Sequence, residues 1–160
     1  MTIKVGDKIP SVTLKAMGSD GPVEVTTDEL FKGKKVAMFG VPGAFTPTCS
    51  AKHLPGFMEN HDALKTKGVK DIVCISVNDA FVMGAWGNDQ NVGDKVKMIA
   101  DGDGAFASAA GIELDLTGRG LGKRMRRFSM VVDDGTVSQL NLEEGGGFEV
   151  SSAEQMLAKL

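Results

Sequence analysis

The chain has few cysteines, no long apolar run and little excess of charge of either sign. Its 160 residues include two cysteines, Cys49 and Cys74, in no CxxC pair. That excludes a disulfide scaffold or a cysteine-paired zinc site, and it argues against a dithiol oxidoreductase. No stretch approaches the roughly 20 apolar residues of a membrane span, and the opening MTIKVGDKIP lacks the apolar core of a signal peptide. A cytoplasmic, reducing compartment is therefore expected, and with it no structural disulfide. Net charge is -3, from 18 basic and 21 acidic residues without a long block of one sign. Neither nucleic acid nor a membrane surface is expected as a partner, and the substrate should be small or uncharged. No metal and no cofactor is expected. No internal repeat or low-complexity linker divides the chain, so residues 1–160 are read as one domain.

What is present alternates. Apolar runs at 35–41 (KVAMFGV), 69–77 (VKDIVCISV), 97–100 and 128–132 (FSMVV) read as strands, with a short edge strand at 12–17. Between them, 53–64 places Leu54, Phe57, Met58, His61 and Leu64 at helical spacing, with a kink or break expected near Pro55. Further helices are expected at 79–88 and 103–110, and a last one opened by the capping box Ser151-x-x-Glu154. Asp134-Gly135 signals a hairpin, which makes the sheet mixed. The fold class is α/β, a central mixed sheet flanked by helices, as in thioredoxin-like domains.

The stretch VPGAFTPTCS concentrates the chemistry. Thr46 suits an N-cap and Pro47 the first helical position, which puts Cys49 in the first turn of a helix. Unpaired N–H groups and the positive end of the helix dipole there favour a thiolate. Ionisation alone is a modest gain, because nucleophilicity falls as a thiol becomes more acidic. Large acceleration needs fixed donors for the electrophile and its leaving atom. Thr46 offers a hydroxyl three residues before Cys49, Gly43 permits close backbone approach, and Pro42 is an apolar shield. The missing cation is sought in the basic run Lys123, Arg124, Arg126 and Arg127 ahead of FSMVV, where alternation sends Arg126 and Arg127 to opposite faces. One arginine fork would hold a thiolate and a small oxygen electrophile together. Arg124 and Arg126 read as a solvated face. His53 and His61 read as partly exposed helix residues outside the site.

Through Pro42, Thr46 and Cys49 the chain matches the peroxiredoxin signature PxxxTxxC, and RRFSMVVDDG matches the segment that carries that family's active-site arginine. The chain resembles type II peroxiredoxins along nearly its whole length, from VGDKIP through HLPGF, CISVND and ELDLTGRGLGKR to GGGFEVSSAE. The resemblance implies that Cys49 is the peroxidatic cysteine, that Thr46 binds the peroxide, that Arg127 polarises it, and that Pro42 shields the sulfenic acid. It implies a thioredoxin fold and commonly a homodimer, and it places Phe45 and the 116–121 segment at the substrate entrance.

Cys74 lies in an apolar strand pattern and reads as an inert core thiol. Relatives that resolve within one chain carry a cysteine in the region that here reads GGGFEVSS, and this chain has none there. A one-cysteine cycle is therefore expected, closed by glutathione with glutaredoxin or by thioredoxin. The expected function is a thiol peroxidase acting on hydrogen peroxide and organic hydroperoxides. The alternative is a thioredoxin-like redox-sensing binding or chaperone module. Phe81, Met83 and Trp86 read either as an apolar dimer patch or as core.

Overall fold

The computed structural model describes residues 1–160. Strands β1 (Thr13–Gly18) and β2 (Gly21–Thr26) form a hairpin, followed by helix α1 (Thr27–Phe31) and strand β3 (Lys35–Val41). A loop and a π-helical turn (Cys49–His53) lead into α2 (Leu54–Glu59) and α3 (His61–Thr66). Then come β4 (Asp71–Ser76), α4 (Ala80–Asp89), β5 (Lys97–Ala100) and α5 (Ala105–Ala109). The ribbon β6 (Glu113–Leu116) and β7 (Gly122–Met125) precedes β8 (Phe128–Asp133), β9 (Thr136–Leu142) and α6 (Ala153–Ala158).

Seven strands form one sheet in the order β2-β1-β5-β4-β3-β8-β9. The β3–β4 and β4–β5 pairs are parallel and the others antiparallel, so the mixed, helix-flanked sheet expected from the sequence is present. β3 lies between β4 and β8 with one core layer on each of its faces, and its sequence is continuously apolar. Ala37, Phe39 and Val41 enter a core layer with Leu54, Phe57, Met83 and Trp86; Val36 and Met38 enter the opposite layer with Leu30, Phe31 and Phe106. The parallel strands β3 and β4 end together, Val41 opposite Ser76. The loop beyond that end carries VPGAFTPTCS, the place where open α/β sheets gather ligands.

Three expectations need correction. The strand near residue 12 is not an edge, because β2 pairs outside it through a Gly-rich turn. The helix expected over 53–64 is broken at Asn60, which leaves helical geometry at φ -97° and ψ 11° while its backbone N–H (3.1 Å) and its side-chain amide (2.8 Å) both donate to Gly56 O. Pro55 instead sits in the first turn of α2, where its missing N–H costs least, just after the wide turn in which Leu54 N–H reaches Cys49 O. The final helix is capped by Ser152, which accepts from Gln155 N at 3.1 Å, while Ser151 turns inward to Glu143. The β6–β7 ribbon went unread in a segment of many glycines and charges.

Candidate active site

The site begins with the turn that the sequence places at residues 46–50. Ser50 N–H donates to Thr46 O at 3.0 Å and closes the first helical turn, bringing Cys49 under the Thr46 side chain. Thr46 Oγ1 lies 2.9 Å from Cys49 Sγ and 2.7 Å from Gly43 O. Its single proton cannot serve both acceptors. Either it is given to an anionic sulfur, or it turns to the carbonyl and the oxygen accepts from another O–H or S–H.

Two neighbouring peptide groups of the loop are held by three side chains, two of them from outside it. Arg124 Nη1 donates to Pro42 O at 3.3 Å, Thr46 takes Gly43 O, and Ala44 N–H donates to Asn78 Oδ1 at 3.0 Å. The Ser76 hydroxyl, 2.6 Å from Asn78 Oδ1, ties this to the end of β4. A Cβ on Gly43 would come within 2.9 Å of Arg124 Nη1 and 3.2 Å of Thr46 Cγ2, so a side chain there would displace the Arg124 head from Pro42 O. Phe45 adopts a left-handed φ of 65° and is 52% exposed, which puts its ring at the lip of the loop. A non-glycine residue held there stores strain of about 1–3 kcal/mol.

Arg127 precedes β8 and is buried. Its Nη2 donates to Cys49 Sγ at 3.2 Å, its Nη1 donates to His53 Nδ1 at 2.9 Å, and its Nε–H is buried without a partner. The Phe148 ring centroid lies 5.7 Å from its Cζ. His53 is fully buried, and its Nε2 meets only a carbonyl, Ser151 O at 2.9 Å. That carbonyl can only accept and the guanidinium can only donate, so the ring is the neutral Nε2–H tautomer. Burial first and the Arg127 charge second push its pKa down to about 3, against a weaker upward pull from Ser151.

The structure thus joins Cys49, Thr46 and Arg127 by direct hydrogen bonds, and places Gly43 and Pro42 in the loop facing them. It differs from the sequence reading in the residues around them. His53 is a core residue bonded to Arg127, not a partly exposed one; its position four residues after Cys49 was the available signal, but its partners lie far along the chain. Arg124 and Arg126 are not a solvated face: both are half-buried, Arg124 on Pro42 O and Arg126 on Glu143 O. Met83 and Trp86 are core, and Trp86 Nε1 donates to Ser50 Oγ at 3.0 Å, while Phe81 is 64% exposed. Cys74 is buried in β4, and burial first, then negative charge at Cys49, pushes its thiol well above the ordinary range.

Comparison with known proteins gives the family. Residues 4–157 match the Redoxin family model. The chain is 53% identical to the chloroplastic Peroxiredoxin-2E of Arabidopsis thaliana over 99% of this chain and 70% of that one. It is 49% identical to Peroxiredoxin-2B of the same plant, over 99% and 98%. The crystal structure of reduced Prx3 from Vibrio vulnificus in complex with hydrogen peroxide superimposes with a TM-score of 0.95 at 49% identity, covering 99% of each chain.

Proposed function

This chain belongs to the Redoxin family and, within it, to the type II peroxiredoxins, and on that premise we propose a division of labour among its residues. The protein is a thiol peroxidase that reduces hydrogen peroxide and alkyl hydroperoxides at a cysteine. Cys49 is the nucleophile. Its sulfur electron pair attacks the terminal oxygen of ROOH; the S–O bond forms, the O–O bond breaks, and RO⁻ departs with the bonding pair and takes a proton from solvent. Cys49 is left as a sulfenic acid.

The observation that carries this reading is the state of the Arg127 fork. Nη2 and Nε project from one edge of the planar guanidinium; the first donates to the sulfur, and the second is buried and unpaired. An oxygen beside the sulfur completes the fork, so one cation favours the thiolate, orients the peroxide and receives charge as the O–O bond breaks. Thr46 supplies the second contact: with its proton turned to Gly43 O, its lone pair accepts the peroxide O–H and directs that oxygen at Cys49. Pro42 shields the product from water, and Gly43 and Phe45 line the approach. A redox-sensing binding module needs no such unpaired donor beside its sulfur.

Reduction of the sulfenic acid is assigned to an external thiol. Glutathione, with glutaredoxin recycling the adduct, or thioredoxin attacks the Cys49 sulfur; an S–S bond forms and water leaves. The absence of cysteine from 144–152 and the buried setting of Cys74 support this one-cysteine cycle. A homodimer, which the resemblance implies, is proposed and checked by sedimentation velocity of the wild-type chain. A cytoplasmic location is proposed, and imaging of a fluorescent fusion checks it.

The test is stopped-flow oxidation by hydrogen peroxide. Fast oxidation that disappears in Cys49→Ser and slows strongly in Arg127→Ala is expected. Oxidation of the wild type no faster than that of a free thiol would sink the reading.

A further inference from the structure

Residue 143 has several partners that the reaction scheme leaves unused. Glu143 is buried, 2% exposed, at the end of β9. Its Oε2 accepts from three successive backbone N–H groups, Glu149 and Val150 at 2.8 Å and Ser151 at 2.9 Å, and from the Ser151 hydroxyl at 2.7 Å. Its own N–H donates to Arg127 O at 3.0 Å, and its carbonyl accepts from Arg126 Nη2 at 2.7 Å. Burial pushes the carboxyl up, but the bonds from Ser151 and the neighbouring amides outweigh it and hold it below its ordinary range. Three amides aimed at one oxygen fold the 149–151 backbone into an anion-binding nest, here filled by the chain's own carboxylate.

The nest fixes the direction of one carbonyl that matters. With its N–H and hydroxyl both tied to Glu143, Ser151 presents its C=O to His53 Nε2–H; His53 Nδ1 then accepts from Arg127 Nη1, and Arg127 Nη2 reaches Cys49. Phe148, in the same segment, packs on the His53 ring with centroids 5.0 Å apart. We infer that Glu143 is a positioning residue for peroxide reduction, holding the 149–151 backbone in the conformation that fixes the His53 tautomer and, through it, the Arg127 fork. The inference rests on the reading that Arg127 and Cys49 act on the peroxide.

Glu143→Gln keeps the volume and removes the charge that gathers four donors on one oxygen. A misplaced fork loses rate steeply, so oxidation by hydrogen peroxide is expected to slow about tenfold. The ring nitrogen NMR signals of His53 should also move from a single Nε2–H tautomer toward an exchanging pair. Ser151→Ala removes one donor and keeps three, and should move both readouts less and in the same direction. Glu144→Gln, at an exposed position, should move neither. A folded Glu143→Gln with wild-type rate and a single tautomer overturns the inference; a purely structural role would lower the melting temperature and leave both unchanged. If Glu143→Gln does not fold, the same two readouts on Ser151→Ala decide. If Arg127→Ala keeps the wild-type rate, the reading of the site has failed instead, and the tautomer, measured without peroxide, still judges the Glu143 link.

Discussion

The two cysteines are equally hidden and otherwise opposite. Cys49 and Cys74 are both 0% exposed and belong to the same apolar layer beneath the sheet. Cys74 is one residue of a strand paired on both sides, opposite Phe39 in β3 and Met98 in β5, and its sulfur is a free thiol in the apolar layer. Cys49 sits in a wide helical turn with a hydroxyl at 2.9 Å and a guanidinium nitrogen at 3.2 Å. Burial alone makes a thiol hard to ionise. The two sulfurs differ by two donors, one from three residues away and one from a side chain 78 positions along the chain, just ahead of β8.

Removing the distant donor should bring Cys49 closest to the condition of Cys74. Arg127→Ala takes away the cation, the unpaired Nε–H and the partner of His53 together, and oxidation by hydrogen peroxide is expected to slow by about 10²–10³-fold. Stopped-flow rates measure this directly. A loss below about tenfold would mean that Thr46 and the helical turn set the contrast without the arginine.

The next effect comes from His53, which has no counterpart beside Cys74. An unfolded imidazole takes up a proton below about pH 6.5, whereas the folded one stays neutral until about 3. Between those values the unfolded chain binds more protons, so stability falls as pH falls, by up to about 1.4 kcal/mol per unit, with no contribution above the window. Urea unfolding from pH 6.5 to 5, above the range where carboxylates titrate, should show this slope in the wild type and a flatter one in His53→Gln. The variant should also react with peroxide about tenfold more slowly, because the Arg127 fork loses its anchor. An unchanged slope would mean that His53 is not held neutral.

Much of this contrast was legible in the sequence, and the reason lies in chain separation. Thr46, Pro47 and Cys49 are neighbours, so local helix-start chemistry places a sulfur under a hydroxyl, and FSMVV fixes β8 by its own apolar pattern. Arg127 was reached through the family resemblance and a basic run, not through geometry. His53, Glu143 and the Asn78 bond to Ala44 were missed because each is defined by partners 98, 8 and 34 positions away, across a fold that no local pattern encodes. The break at Asn60 was missed for a related reason: the backbone turns out of helical geometry at one residue, with its N–H and side chain both on Gly56 O, while the apolar spacing continues past it.

A smaller effect tests the entrance rather than the sulfur. Phe45 is exposed at the lip of the loop, with no hydrogen-bonding role, so Phe45→Ala should change the relative rates among bulky alkyl hydroperoxides by a few-fold, within the range for lost apolar pocket contacts. The rate with hydrogen peroxide, which is too small to touch a wall, should hardly move. Equal losses with both substrates would show that the ring supports the loop rather than the substrate.

The smallest effect is expected at the other pole of the comparison. Cys74→Ala removes one buried sulfur, at a stability cost of about 1 kcal/mol, and should leave oxidation by peroxide unchanged, because no group in the site bonds to that sulfur. Turnover with glutaredoxin and glutathione, or with thioredoxin, should be unchanged as well. If first oxidation were kept but turnover lost, Cys74 would be capturing the sulfenic acid. That requires the turn carrying Cys49 to open and the apolar layer that holds both sulfurs to repack. An external thiol that meets Cys49 at an opened turn leaves that layer in place, so unchanged turnover in Cys74→Ala is the outcome expected of the proposed one-cysteine cycle.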